Sequence, residues 1–463
     1  MPSLRVLFVT GKLAEPALRR VLEEIPREIQ PEVAVLKITV AALMTTPWIA
    51  RFLRVPQHTD LILLPGLVEG DTAPLAERFN VRVDKGPKDL REIPEYFGQA
   101  ARARDYGAHD IEILAEINNA PKRSRTQVRA EADYYRASGA DVIDIGCTPG
   151  VAFPDLAEVV RELRGAGMRV SVDSLDPAEI RTAVEAGAEY VLSVNGSNLE
   201  VLEDLKGTGA RVVAIPDTGA GLETLEPTLS ALERARLSYL IDPIVEPIGF
   251  GFMASLERYA ETHRRYPTIG QFMGVGNITE LTSADTTGVN ALLLAICQEV
   301  GVKAVLTTEV IPWSRGAVRE IDIARRLMYY AVTERTLPKN VDQRLVTLKD
   351  PKILRYTEAE LRELQSQVRD PNYRIFADGE AITVFNHERF IRGADIQEIF
   401  DQLGVEEASH AFYLGKELAR AKLSILLGKT YRQEGQLAWG YLTPPDEPRR
   451  EHLKLTMRKR HDG

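Results

Sequence analysis

The residues with the clearest chemical potential in this sequence are short polar side chains that follow predicted buried strands. Each is an aspartate or asparagine close to a glycine, serine or proline, which are residues that end strands and open loops. A carboxylate only accepts hydrogen bonds, whereas an amide both donates and accepts them. Together they suit a ligand edge that presents paired N–H donors, such as an amino-pyrimidinone ring. The set is Asn118, Asp144, Asp173, Asn195, Asp217, Asp242 and Asn277.

The stretch Leu240–Gly251, LIDPIVEPIGFG, illustrates how such a position arises. Pro243 keeps Asp242 extended, so the strand ends there and the carboxylate points off its end. An N-cap or an Asp-Pro turn would explain Asp242 equally well if it stood alone. Seven such positions are more than loops require, and they predict a polar floor that is rich in acceptors.

The elements that must position these side chains are eight successive strand–helix units between Ile111 and Thr333. Their number and length predict a (β/α)8 TIM barrel, and hence the α/β class. In this fold the carboxyl ends of the strands form the active site, so we expect the seven side chains to converge on one mouth.

Two smaller domains are predicted to flank the barrel. Residues 1–108 alternate short strands and helices, which indicates a small α/β domain without a G-x-G-x-x-G or P-loop motif. The barrel is assigned to residues 109–336. Residues 337–463 are predicted to form a linker and an α+β domain. This last part has a helix or linker over Lys349–Asp370 and a hairpin over Arg374–Phe385, whose Asp378-Gly379 pair favours a type I′ turn.

Composition narrows the class of protein. The net charge of −9 argues against a nucleic-acid partner. Two cysteines, Cys147 and Cys297, do not make a disulfide framework and favour a reducing cytoplasm. No segment has the length of a transmembrane span, so no membrane partner is expected. The seven histidines are scattered singly, which makes a histidine-based zinc site improbable.

Five ordered motifs resemble the pterin-binding barrel family, which contains dihydropteroate synthases and methyltetrahydrofolate or methyltetrahydropterin methyltransferases. The resemblance covers about half of the chain, from Ile111 to Thr333. The motifs are EINNAP at Glu116–Pro121, ADVIDIGCTPG at Ala140–Gly150, SVDS at Ser171–Ser174, SVNG at Ser193–Gly196 and DPIVEPIGFG at Asp242–Gly251.

The resemblance implies roles for individual residues. Asp173, Asn195 and Asp242 would hold the pterin ring, with Asp144, Asp217 and Asn277 completing its pocket. Asn118 and Asn119 would orient the diphosphate, and Asn118 would contact a Mg²⁺ ion if one is used. Each pterin donor left without an acceptor would cost about 1–3 kcal/mol, which agrees with an acceptor-rich pocket.

The sequence departs from folate-type dihydropteroate synthases at two places. The usual lysine of the seventh-strand loop and the Arg-x-His of the eighth strand are replaced by GVGNITEL (Gly274–Leu281) and TTEVIPWSRG (Thr307–Gly316). Asn277 within the first of these resembles the methyltransferase branch. A diphosphate site would therefore need other cations, and the candidates are Lys122, Arg123, Arg125 and Arg315.

Three functions are compatible with these motifs, of which two are enzymatic and one is pterin binding without catalysis. SHAFYLGKELARAK (Ser409–Lys422) resembles a module that follows such barrels in proteins linked to methanopterin metabolism. We therefore expect a dihydropteroate synthase-like transferase of tetrahydromethanopterin biosynthesis, which condenses a hydroxymethylpterin diphosphate with an arylamine. The alternatives are a methyl-tetrahydropterin methyltransferase with a corrinoid partner, in which Asn277 is catalytic, or a non-catalytic pterin-binding protein. A homodimer is compatible with each.

Overall fold

The computed structural model describes residues 3–99, 106–217, 219, 221–351 and 353–445. Its strands form three sheets, of which the central one is a closed parallel barrel of eight strands. The barrel confirms the predicted (β/α)8 fold. The domain boundaries after residues 108 and 336 stay predictions, and residues 446–463 lie outside the described part. Within the described ranges, every helix is too short or too polar to span a bilayer.

The amino-terminal part is a parallel sheet with helices. Its elements are β1 Leu4–Gly11, α1 Glu15–Leu22, β2 Ile29–Leu36, α2 Thr46–Phe52, β3 Leu61–Leu64, α3 Ala73–Phe79, β4 Arg82–Lys85 and α4 Ile93–Tyr96. The strands pair in the order β2-β1-β3-β4. The continuous buried runs Val6–Val9 and Leu61–Leu64 lie in the two central strands, because strands covered on both faces have no solvent side.

The barrel follows with eight strands and nine helices among its described residues. They are β5 Glu112–Ile117, α5 Arg125–Ser138, β6 Val142–Gly146, α6 Leu156–Gly165, β7 Arg169–Asp173, α7 Pro177–Glu185, β8 Tyr190–Val194, α8 Val201–Leu205, β9 Arg211–Ala214, α9 Leu225–Ala235, β10 Tyr239–Ile241, α10 Phe252–Arg265, β11 Gln271–Gly274, α11 Gly276–Thr279, α12 Thr286–Glu299, β12 Val302–Thr307 and α13 Ala317–Thr333. Neighbouring strands pair in chain order, and β12 closes the barrel on β5.

Local sequence signals explain where the barrel helices begin. Ser124 and Gln127 form a reciprocal capping box at the start of α5. Asp176 accepts a hydrogen bond from the Ala178 amide, and Pro177 occupies the first position of α7. These starts fix the helices immediately after the strand-end loops, which holds the loops in place at the carboxyl end of the barrel.

The carboxyl-terminal part is an antiparallel sheet packed on helices. Its elements are α14 Glu358–Gln367, β13 Arg374–Ala377, β14 Ile382–Phe385, β15 Phe390–Gly393, α15 Ile396–Leu403, α16 Ala408–Leu427 and β16 Tyr431–Arg432. The hairpin β13–β14 is confirmed, but its type I′ turn is wrong, because φ is positive at Gly379 and not at Asp378. The Asp378 carboxylate instead accepts the amides of Glu380 and Ala381, both at 3.2 Å.

Helix α13 anchors the base of the barrel through Arg325, which is 1% exposed. Its guanidinium pairs with Asp322 at 2.8 Å and with Asp141, and it donates to the Ile111 carbonyl at 2.7 Å. A buried arginine is stable only when its donors are met, and here charged and carbonyl oxygens meet them.

The two ends of α13 reach the other parts of the chain. Near its start, Glu320 accepts a hydrogen bond from Tyr441 at 3.0 Å, in the segment that follows the carboxyl-terminal sheet. Near its end, Tyr330 accepts a hydrogen bond from Arg91 of the amino-terminal part. One helix therefore contacts all three parts of the molecule.

Candidate active site

The barrel interior has an apolar layer below and an acidic layer above. Alternate residues of a strand face the same side, so a residue two positions further along lies nearer the carboxyl end of the same wall. In three strands a buried apolar residue is followed two positions later by an acid. The pairs are Leu114 and Glu116, Val142 and Asp144, and Leu240 and Asp242.

Asp242 is 9% exposed and is held by two donors on its Oδ1 atom. The Tyr259 hydroxyl lies at 2.5 Å and the Ile244 amide at 2.8 Å. Burial raises the pKa of Asp242 to about 6, although the Tyr259 hydrogen bond acts against that rise. Its second oxygen has no protein donor among the described residues, so it is available to a ligand.

The loop after Asp242 carries backbone strain. Ile244 has a φ of +61°, a conformation that a β-branched residue rarely adopts. The Asp242 carboxylate binds its amide, and Arg258 binds its carbonyl at 2.7 Å. Strained residues held in this way cluster at ligand sites, so the geometry marks this corner of the mouth as functional.

Asp173 ends β7 and receives a hydrogen bond from Ser193 at 2.8 Å. Ser193 has a φ of +64°, and the pairing of β8 with β9 shifts register between Val191 and Val194. Such an irregularity redirects side chains beside active sites. Burial raises the pKa of Asp173, while the Ser193 hydroxyl lowers it.

Asn195 is buried, and its amide oxygen is used within its own loop. Oδ1 accepts the Ser197 amide at 2.9 Å and the Ser197 hydroxyl at 2.6 Å. Only the Nδ2 donors remain for a ligand, since no described residue accepts from them. Asp217 is likewise engaged, because its Oδ1 accepts the Gly196 amide at 2.9 Å.

Glu116 and Asp144 form a second carboxyl pair that lies opposite in register on β5 and β6. Asp144 lies inside its strand rather than at the end, and is fully buried. Its Oδ1 accepts from Ser171 at 2.5 Å, while Oδ2 has no partner in the described residues. Burial and the nearby Asp173 raise the pKa of Asp144, and the same causes raise that of Glu116 to about 7.

Glu116 is the mouth residue that sequence reasoning missed. It stands in the quoted motif EINNAP, and a glutamate within a buried strand was the available signal. Its Oε1 accepts from Asn118 at 3.3 Å. It also lies so close to Gly146 that a Cβ there would stand 2.5 Å from Oε1, so any larger residue at position 146 would require the Glu116 carboxyl to shift.

The corner beside β5 carries amides and one cation. Asn119, at a φ of +52°, donates to Asn118 Oδ1. Its own Oδ1 lies 3.4 Å from Lys122 Nζ and 3.2 Å from the Thr148 hydroxyl. Across the mouth, Asn277 lies in α11 and donates to the Val245 carbonyl at 3.3 Å.

Three of the four predicted diphosphate cations are engaged by other groups or lie away from the mouth. Arg123 pairs with Glu131 and donates from Nε to the Asn118 carbonyl at 3.0 Å, and Arg125 pairs with Glu162 on α6 at 2.9 Å. Arg315 lines a cleft on the outer flank, against the end of α5. In the same loop after β12, Glu309 accepts a hydrogen bond from the Val318 amide at 3.0 Å. Lys122 is the predicted cation that the structure leaves beside the mouth.

Protein-family comparisons bear on the barrel and on the amino-terminal part. Residues 117–224 match a family described as pterin binding enzyme. The barrel is similar to the pterin-binding enzymes. This agreement confirms the resemblance drawn from the motifs. The matched residues run from Ile117 at the end of β5 to the loop after β9. Residues 4–88 match a family whose function is unknown.

Full-length comparison finds an uncharacterized protein of Methanocaldococcus jannaschii, 28% identical over 527 residues, which covers 94% of this chain and 99% of the relative. An indole-3-glycerol phosphate synthase of Methanothermobacter marburgensis is 32% identical over 139 residues, covering 28% of this chain and 50% of that protein.

Among solved structures, the dihydropteroate synthase of Yersinia pestis with a sulfonamide drug complex is 18% identical, with a TM-score of 0.39. It covers 48% of this chain and 94% of that chain. The dihydropteroate synthase of Xanthomonas albilineans with 4-aminobenzoic acid is 18% identical, with a TM-score of 0.40. It covers 48% of this chain and 93% of that chain.

The barrel mouth thus presents acceptors from Asp173 and Asp242, donors from Asn195, and the carboxyl pair of Glu116 and Asp144 beneath them. Among the described side chains, His, Cys, Asp and Glu nowhere form a group of three or more that could ligate a metal. The arrangement can bind a ring with several N–H donors, and its raised pKa values allow carboxyl groups to be neutral near pH 7.

Proposed function

We propose that this chain is a dihydropteroate synthase-like transferase of tetrahydromethanopterin biosynthesis. It joins a hydroxymethylpterin diphosphate to an arylamine and releases diphosphate. The observation that carries the proposal is the pair of carboxylates of the buried Asp242 and the half-buried Asp173, each with one oxygen left by the described residues for a donor-rich ring. The pathway rests on the resemblance of Ser409–Lys422 to methanopterin-linked modules.

The chemistry asked of the protein is mainly positioning. Asp173 and Asp242 accept from the pterin amino group and ring N–H, and the Asn195 amide donates to a ring acceptor. The diphosphate lies at the corner of Asn118, Asn119 and Lys122, where amide and ammonium donors meet it. Holding both substrates in line lowers the barrier without a covalent enzyme intermediate.

Magnesium enters the proposal as the ion that accompanies the diphosphate. Asn118 Oδ1 is the protein oxygen at this corner that would contact it. One amide oxygen fits such a role, because Mg²⁺ keeps several waters and is commonly held by substrate phosphates with few protein ligands. The ion would neutralise the departing diphosphate. A homodimer is compatible with the same proposal.

The direct test is diphosphate release when the protein is mixed with hydroxymethylpterin diphosphate, an arylamine and Mg²⁺. Lys122→Gln should raise the KM for the diphosphate substrate about tenfold or more, since one charged hydrogen bond contributes about 1.5–3 kcal/mol. Arg125→Gln is the matched control, because Arg125 faces Glu162 at the outside of the barrel. Affinity for a pterin without diphosphate should stay the same in both variants. Equal KM values for both variants and the wild type would remove Lys122 from the site.

A second candidate is a methyl-tetrahydropterin methyltransferase, favoured by the position of Asn277 at the mouth, where its Oδ1 has no described donor. The assay mixes methyl-tetrahydropterin with a reduced corrinoid and follows the methylcobalt spectrum. A spectrum that Asn277→Ala abolishes, together with no diphosphate release in the first assay, would replace the synthase by the methyltransferase. Pterin binding without either reaction would support the non-catalytic function.

A further inference from the structure

A second cleft lies on the flank of the barrel and belongs to no function considered so far. It has a volume of about 510 Å³. Its walls are the end of α5, the start of α13 and residues 441–442, so it is formed where the barrel meets the chain that follows the carboxyl-terminal sheet. Junctions of this kind are frequent ligand sites.

The cleft is separate from the pterin mouth. Its lining comes from helices α5 and α13 of the outer ring, the loop before α13 and residues 441–442, and none of these carries a residue placed against the pterin ring. Tyr134 and Ser138, which line the cleft, belong to the last two turns of α5. A ligand bound here would therefore not occupy the pterin site.

Two arginines, Arg315 and Arg319, give the cleft its charge. Arg315 is exposed and has no carboxylate partner among the described residues. The nearest partner of Arg319 is Asp322, at 3.9 Å. The guanidinium groups are thus left with donors for an anion, which a planar fork can bind in a bidentate manner.

The acids beside the cleft are already occupied by other donors. Glu309 accepts from the Tyr134 hydroxyl at 2.9 Å and from the Val318 amide. Glu320 is 3% exposed and accepts from Thr286 at 2.7 Å, as well as from Tyr441. Glu309 already accepts from the Val318 amide at the start of α13. The positive charge of the cleft therefore comes from Arg315 and Arg319 and not from the end of the helix.

Apolar and aromatic groups stand beside the arginines in the lining of the cleft. Pro312, Leu442 and the rings of Tyr134 and Tyr441 surround the guanidinium groups. We propose that this cleft is a binding site for a small phosphorylated molecule with an apolar or aromatic body, held by Arg315 and Arg319. The phosphate pairs with the two arginines, and the body lies against the tyrosine rings and Leu442.

Phenyl phosphate is a suitable probe, with inorganic phosphate as its comparison. Calorimetry on the full chain should give saturable binding, tighter for phenyl phosphate because its ring buries apolar surface. The double variant Arg315→Gln/Arg319→Gln should bind it at least tenfold more weakly, as expected for lost charged hydrogen bonds. Arg161→Gln, at an exposed arginine of α6, is the control for a general loss of charge.

A second variant leaves the charges intact. Ala137 is exposed on α5 and lines the cleft, so Ala137→Trp fills it without entering the core. It should also weaken phenyl phosphate binding at least tenfold, with an unchanged circular dichroism spectrum. Absence of saturable binding to the wild type would overturn the proposal. So would equal affinity in all variants, or a loss confined to Lys122→Gln, which would place the ligand at the mouth.

Discussion

Replacing Asp242 by asparagine should stabilise the barrel while weakening the site. Burial raises the pKa of Asp242 from 3.8 to about 6. At 1.36 kcal/mol per unit, this shift destabilises the folded state by about 3 kcal/mol above pH 6. Below pH 3.8 the carboxyl is protonated in both states, so the destabilisation disappears. It grows as the pH rises from 3.8 to 6.

Asparagine keeps the carbonyl oxygen that accepts from Tyr259 and Ile244, but it has no charge to bury. The stability advantage of the variant over the wild type should therefore be small at pH 4 and reach about 2–3 kcal/mol at pH 8. Its affinity for a pterin should fall at least tenfold at pH 8. The asparagine oxygen is used by Tyr259 and Ile244, and the NH2 group that replaces the second carboxylate oxygen cannot accept a hydrogen bond from the ligand.

The assay is urea unfolding at pH 4 and pH 8, followed by tryptophan fluorescence. Of the three tryptophans, Trp313 belongs to the barrel and donates to the Thr279 carbonyl at 3.1 Å. Replacing Trp48 and Trp439 with phenylalanine leaves Trp313 as the reporter of barrel unfolding. Asp155→Asn, at an exposed aspartate, is the control for the change of charge. A difference between Asp242→Asn and wild type that stays constant between the two pH values would refute the reasoning.

Three further predictions concern other parts of the barrel. Gly146→Ala should fold but weaken pterin binding several-fold by calorimetry, since its Cβ would stand 2.5 Å from Glu116 Oε1 and displace that carboxyl; unchanged affinity would show that Glu116 does not shape the pocket. Cys147 and Cys297 should resist iodoacetamide at pH 7 by mass spectrometry, because burial raises the pKa of both thiols, and rapid labelling of the folded protein would contradict this. Arg325→Ala should lower the free energy of barrel unfolding by about 3–5 kcal/mol, since it breaks the buried ion pair with Asp322 and leaves the buried Ile111 carbonyl without its donor; a loss below 1 kcal/mol in urea unfolding would argue against it.

The sequence was sufficient to predict the barrel because eight repeated strand–helix units are a long-range pattern of local signals. The convergence of Asp173 and Asp242 followed from the same rule, since parallel strand ends meet at one edge. Which donor or acceptor each of these side chains would bind in the fold was not predictable. The oxygen of Asn195 could serve a ligand or Ser197, and the contact with Ser197 depends on the loop conformation.

The cations show the same limit. Arg125 and Arg315 lie near strand ends in the sequence, but a long side chain pairs with whichever acid is within reach in the fold. Glu162 on the next helix binds Arg125, and Arg315 lies in the cleft between the end of α5 and the start of α13. These contacts depend on how the helices and loops are placed in the fold, so the spacing of residues in the sequence did not reveal them. Glu116 was visible in the sequence and would have been found by asking which acids occupy buried strand positions.

Helix α13 has a consequence for how this protein can be divided or recombined. Its seventeen residues form one rigid rod of about 25 Å. Arg325 fixes that rod to the barrel base, Tyr330 meets the amino-terminal part and Glu320 meets the segment after the last sheet. A barrel excised with α13 would carry exposed contact surfaces for both missing neighbours, whereas one excised without it would lose an eighth of its outer ring. All three parts of the molecule therefore depend on α13. Replacing any one of them with the corresponding part of a relative also requires a helix that matches α13.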